Sequence, residues 1–149
     1  MKKKLSLIPA LLLMLFSASL MGGMLVSCSG SEADAKVDTF VGQLNSDTFK
    51  EQTVKSGIFT GAEAKVEDDA VVLTFQTIPG LSFKNATQAL MDVQKEAMLG
   101  QFKQALPADK VFREGFEGMR DKSMTFRMVF LDTNGDTASI DILPSEVLD

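Results

Sequence analysis

Histidine, tryptophan and tyrosine are absent from this 149-residue chain, and cysteine occurs once. Without imidazole, the Ser-His-Asp and Cys-His nucleophile systems cannot be assembled, and neither can zinc sites built on imidazole or on several thiolates. A single cysteine closes no intramolecular disulfide, so the fold has to be held by packing alone. Acid and base work is left to carboxylates, of which Glu114, Glu117 and Asp121 lie near one another in sequence. Two carboxylates can hydrolyse a glycosidic bond. Acids spaced in this way on a short helix are usually a solvated face, however, and phenylalanine is the only aromatic platform available to a sugar. A carboxylate-based glycan hydrolase is therefore the outsider among the functional readings. No enzyme activity, catalytic residue, cofactor or metal is expected.

Basic residues are scarce beyond the N-terminus. Lys2, Lys3 and Lys4 precede a run from Leu5 to Val26 that contains no charged side chain. A positive flank, an apolar middle and small residues near a cleavage point are the parts of a secretory signal. Removal of residues 1–27 takes away three lysines and no acid, and moves the formal charge from −5 to −5 − 3 = −8. No cluster of Lys or Arg follows residue 28, and nucleic-acid binding needs one to displace counterions. No nucleic-acid partner is expected.

Leu25, Val26 and Ser27 stand directly before Cys28. This stretch resembles the lipobox of bacterial lipoproteins, in which a large aliphatic residue, a tolerant position and a small residue precede an invariant cysteine. The resemblance implies a diacylglyceryl group on the Cys28 sulfur, cleavage just before it, and fatty acylation (palmitate) of the new amino terminus. One acyl chain holds a protein to a membrane only marginally, at about 0.8 kcal/mol per buried CH2, so two or three chains make the anchor. The alternative is a retained transmembrane helix, since Leu5 to Val26 reaches the roughly 20 residues a bilayer core requires. Pro9, Gly22 and Gly23 weaken a continuous helix there. Residues 28–35, small and polar after the cysteine, read as a lipidated tether, and residues 36–149 as one domain. Ser29 in place of aspartate resembles outer-membrane sorting, which implies a cell-envelope protein on the periplasmic or surface side of the outer membrane.

Within the domain, Val37, Phe40, Val41 and Leu44 recur at helical spacing, and the helix is expected to stop near Asn45. The stretch 48–59 reads as irregular, with one possible helical turn. Ala62, Ala64 and Val66 then alternate with polar residues, as do Val71, Leu73 and Phe75. A two-residue Asp68-Asp69 loop would set these six on one side of a hairpin. Asn85 with Gln88 resembles a capping box opening a long helix. The apolar stripe of that helix is expected to run through Ala86, Leu90, Val93, Ala97, Leu99, Phe102 and Leu106, widened by Met91 and Met98. Val111, Phe112, Phe116 and Met119 suggest a shorter helix, in which Gly115 and Gly118 lower regularity. In the last unit Met124, Phe126, Met128 and Phe130 alternate, as do Ala138, Ile140 and Ile142. A three-residue loop of Thr133, Asn134 and Gly135, with Gly135 left-handed, pairs Phe130 with Ala138 and brings Arg127 opposite Asp141.

Asp132, Asn134 and Asp136 occupy alternate positions like the first ligands of an EF-hand. The pattern needs Gly at its sixth position and Glu at its twelfth, where Thr137 and Leu143 stand. Asn85-Ala86-Thr87 spells a glycosylation sequon and Asp136-Thr137-Ala138 a short O-glycosylation pattern, both explained as well by capping and by chance. The fold expected is α+β in two layers: a four-stranded, mostly antiparallel sheet of two hairpins packed on a long helix, with an N-terminal helix. This order resembles small lipoprotein domains of Bacteroides-type bacteria and Firmicutes. The leading functional expectation is a non-catalytic, lipid-anchored envelope protein that binds or organises a partner, with Val129, Leu131 and Leu143 as a contact patch. The alternative is a lipoprotein that binds a small apolar or cationic solute in a pocket between sheet and helix, lined by Met and Phe.

Overall fold

The computed structural model describes residues 32–148; the leader, Cys28 and the first residues of the expected tether lie outside the described residues. In chain order the elements are α1 (Glu32–Leu44), α2 (Asp47–Lys55), β1 (Phe59–Glu67), β2 (Ala70–Thr77), α3 (Gln88–Ala105), α4 (Lys110–Asp121), β3 (Thr125–Leu131), β4 (Thr137–Ile142) and α5 (Pro144–Leu148), with a 3-10 turn at Leu106–Ala108. The domain is α+β, and its single four-stranded sheet runs β1-β2-β3-β4. Both hairpins are antiparallel, and the β2-β3 join between them is parallel, as a crossover through two helices allows.

Alternation in four strands places three rows of side chains on one face. Val66, Val71, Phe126 and Ile142 form one row, Ala64, Leu73, Met128 and Ile140 the next, and Ala62, Phe75, Phe130 and Ala138 the third. Both hairpin registers are those read from the sequence. Gly135 has φ 88°, and Asp132 N–H donates to the Asp136 carbonyl at 3.0 Å, closing the three-residue loop.

The helices cover this face with aromatic rings. Phe40 of α1 and Phe116 of α4 meet Phe126 of β3 at centroid distances of 5.6 and 5.5 Å. Phe49 of α2 lies 6.5 Å from Phe75, which stacks on Phe59 and Phe130. Phe102 of α3 packs edge-on against Phe112 at 5.2 Å. All ten phenylalanines from Phe40 to Phe130 are buried.

Several sequence expectations are corrected. Most of the stretch 48–59, read as irregular with one possible helical turn, belongs to α2. Ser46 caps it by accepting from Phe49 N–H at 3.2 Å, and buried Thr53 donates back to the Phe49 carbonyl at 2.8 Å. Helix α3 begins at Gln88 rather than near Asn85, because Thr87, not Asn85, is the cap and accepts from Leu90 N–H at 3.2 Å. Its buried face is Met91, Gln94, Met98 and Phe102, while Val93 is 64% exposed, so the apolar stripe is rotated from the expected one. The long flexible methionines, not the short β-branched valine, reach the core.

Helix α1 begins at Glu32, so residues 32–35 of the expected tether are helical. They are seated on α4 by two glycines. A Cβ on Gly118 would lie 2.9 Å from the Ala33 carbonyl, and one on Gly115 would lie 2.5 Å from the Phe40 ring. The glycines that lowered expected regularity are thus inside a continuous α4, where they admit α1 at close range. Lys36 pairs with Glu117 at 3.6 Å and Lys122 with Asp34, across the same seam.

Candidate contact face

The second face of the sheet carries a different pattern. Its rows are Lys65, Val72, Arg127 and Asp141, then Glu63, Thr74, Val129 and Ser139, then Gly61, Gln76, Leu131 and Thr137. The apolar members Val72, Val129 and Leu131 sit on the central strands and are half-buried, while Glu63, Lys65, Gln76, Thr137, Ser139 and Asp141 on the surrounding positions are exposed. Among the described residues the face is open, with an apolar centre and a polar rim. Leu143, expected to belong to the same patch, lies one residue beyond β4 and is 50% exposed.

One ion pair fixes the rim. Arg127 Nε and Nη2 donate to Asp141 Oδ1 and Oδ2 at 2.8 and 3.2 Å, so the cross-strand charge pair anticipated from the register is bidentate. The hydrogen bond and charge of Asp141 raise the Arg127 pKa.

The two edges of the sheet are treated differently. On β1, Asn45 lies alongside the strand and mimics a neighbouring backbone: Nδ2 donates to the Ala64 carbonyl at 2.9 Å, and Oδ1 accepts from Ala64 N–H at 2.8 Å. A bulge between Phe59 and Gly61 twists the same edge. Both devices blunt strand addition there. At the β4 edge a shallow groove of about 170 Å³ separates β4 from α3. Its charged side chains and Gln88 are already engaged: Gln88 donates to Asp92 at 2.8 Å, Lys95 pairs with Glu146 at 3.0 Å, and Asp141 holds Arg127.

Asp132, singled out for its resemblance to a calcium ligand, is only 4% exposed and serves the backbone. Its Oδ2 accepts from Phe83 N–H at 2.9 Å, and its Oδ1 from Asn134 and Asp136 N–H at 2.8 and 3.0 Å. The bond to Phe83, outweighing burial, and then those to Asn134 and Asp136 pull its pKa down. The carboxylate ties the β3-β4 turn to the segment after β2, a role that the sequence motif did not suggest. No group of three or more potential metal ligands occurs among the described residues.

The candidate hydrolytic acids lie along α4. Glu117 is paired with Lys36, Glu114 is half-buried, and Asp121 is exposed near the end of α4. No surface phenylalanine exists among the described residues to stack on a sugar, and the Met and Phe side chains expected to line a solute pocket instead fill the space between sheet and helices. No described helix is long and apolar enough to cross a membrane. Cys28 lies outside the described residues. No family model, no curated protein and no solved structure matches the chain.

Proposed function

We propose that this chain is a lipid-anchored protein of the bacterial cell envelope whose domain works by contact rather than catalysis, presenting the open sheet face to a protein partner. The observation that carries the reading is the leader: three lysines, an uncharged run and Leu25-Val26-Ser27-Cys28, followed four residues later by the first helix of a packed domain. Acylation of Cys28 accounts for the one cysteine in a chain that holds no second thiol for it to pair with. Two features support contact as the role. The sheet face has an apolar centre of Val72, Val129 and Leu131 within a polar rim, and the carboxylates of Asp109, Asp132, Asp141 and Glu146 are held in structural pairs and caps.

The test has two parts in the native host. Cys28→Ala should leave the precursor uncleaved at residue 27 and free of acyl chains. A photo-crosslinking residue at Val129 should capture a discrete envelope partner that one placed at exposed Lys103 on α3 does not. Normal processing of Cys28→Ala would overturn the anchor. Identical capture profiles from the two positions would overturn the sheet face as the contact.

A further inference from the structure

Resting on the membrane anchoring proposed above, we infer that the domain stands end-on against the bilayer, with the β1-β2 turn beside the lipid and the β3-β4 turn pointing away. The link is too short for other arrangements. From Cys28 to Glu32 the chain advances four residues, which span at most roughly 14 Å whatever their conformation. Glu32 is not the start of a loose arm: the first turn of α1 is fixed on α4 by the Gly118 seat and by the Asp34–Lys122 and Lys36–Glu117 pairs.

The first turn of α1 therefore marks one end of the domain. Lys122 closes α4, and three residues further on Thr125 N–H donates to the Asp69 carbonyl at 2.9 Å. The start of α1, the end of α4, and the Asp68-Asp69 turn thus share an end. Exposed Val66 and Leu143 belong to it too. Val66 faces Val71, which neighbours Phe126, which faces Ile142, and Leu143 follows. These are apolar side chains placed where the leash brings lipid. Glu67, Asp68 and Asp69 at the same end disfavour anionic headgroups, so the surface that fits is zwitterionic and rich in phosphatidylethanolamine. The seven residues of β3 set the opposite turn about 20 Å further out. The open sheet face then stands upright, accessible from the side.

The experiment uses the full protein purified from membranes and reconstituted in phosphatidylethanolamine-rich vesicles that carry a gadolinium-chelate headgroup lipid. Nitroxide labels are placed by Asp69→Cys and by Asn134→Cys, both exposed positions. Paramagnetic relaxation falls with the sixth power of distance, so with the turns about 20 Å apart the label at 69 should relax roughly tenfold or more faster than the one at 134. Inserting a ten-residue Gly/Ser segment after Ser31 should bring the two values together. Equal relaxation at both labels with the native link would overturn the orientation, and an unchanged contrast after the insertion would overturn the short leash as its cause. Recovery of the chain from the soluble fraction would instead defeat the anchoring on which the orientation rests.

Discussion

Replacing Gly115 by alanine tests whether α1 is seated on α4 as described. In an exposed helix the change would stabilise by about 1 kcal/mol, because glycine is the poorer helix former. Here the new methyl carbon would fall 2.5, 2.7 and 3.0 Å from Cγ, Cβ and Cδ1 of Phe40. That ring has little room to retreat, since it contacts Phe112, Phe116 and Phe126 at 5.4–5.9 Å and is buried. Overpacking of this kind costs about 2–3 kcal/mol, which leaves a net loss of about 1–2 kcal/mol after the propensity gain. With a urea dependence of about 1–3 kcal/mol per molar, the midpoint should fall by roughly 0.3–2 M. Unfolding is best followed by far-ultraviolet circular dichroism, as the chain has no Trp or Tyr to fluoresce. Gly100→Ala on the exposed side of α3, with nothing within 4 Å of the new carbon, is the control and should raise the midpoint. Adding Phe40→Leu to Gly115→Ala should recover part of the loss through coupling between neighbours. A Gly115→Ala midpoint at or above that of the unchanged protein would refute the close α1–α4 contact.

Other expectations follow from single contacts. Asn45→Ala strips β1 of two edge hydrogen bonds and should cost about 1–3 kcal/mol by denaturation, with increased self-association by light scattering as the edge opens. Asp109 caps α4 by accepting from Phe112 N–H at 3.0 Å, so Asp109→Ala should cost about 0.5–2 kcal/mol. Burial, opposed by the Phe112 and Val111 N–H groups, raises the Asp109 pKa. Its contribution is therefore fully present below its unfolded value and is lost as pH rises through the folded one. Asp109→Asn keeps the cap and should remove that part of the pH dependence in thermal unfolding profiles. Glu146 behaves in the opposite sense. Burial raises its pKa, but the Leu143 N–H bond and Lys95 prevail and lower it. Its contribution is present above the unfolded value and lost as pH falls through the folded one, and Glu146→Gln should flatten the acid limb of the same profile.

The strands were legible in the sequence and the helical layer only partly so. In β1 to β4 every second residue is apolar, and a one-residue slip would put Phe126, Met128 and Phe130 in water. That penalty, with Gly135 free to take a positive φ, left one consistent register, and the Arg127–Asp141 pair followed from it. Helix α2 was not legible because Phe49 is its one buried large apolar residue, and Thr53, which shares its buried face, is polar. The face of α3 was misread for a related reason. Met91, Met98 and Phe102 of the expected stripe are buried, but Gln94 lies inward and Val93 outward, so hydrophobicity alone places the centre of the face off to one side. Long-range polar ties carry no periodic signal at all. Asn45 on Ala64 and Asp132 on Phe83 join residues 19 and 49 apart in the chain, and each fits a loop residue equally well until the partner is in view. The glycines of α4 are the clearest case. Their helix penalty is local and visible, while the approach of Phe40 and Ala33 that requires them is tertiary.

For the candidate contact face, the alternation that buried one side also specified the other. Val129 and Leu131 were identifiable as outward-facing. The parallel join that sets Val72 beside Arg127 was not, because strand order depends on the crossover rather than on either hairpin.

The most direct measurement of the central claim is the intact mass of the chain isolated from host membranes. A polypeptide beginning at Cys28 and heavier by a diacylglyceryl group and an N-linked acyl chain is the expected result. A mass equal to that of the unmodified residues, with the Cys28 thiol free to react, would contradict it.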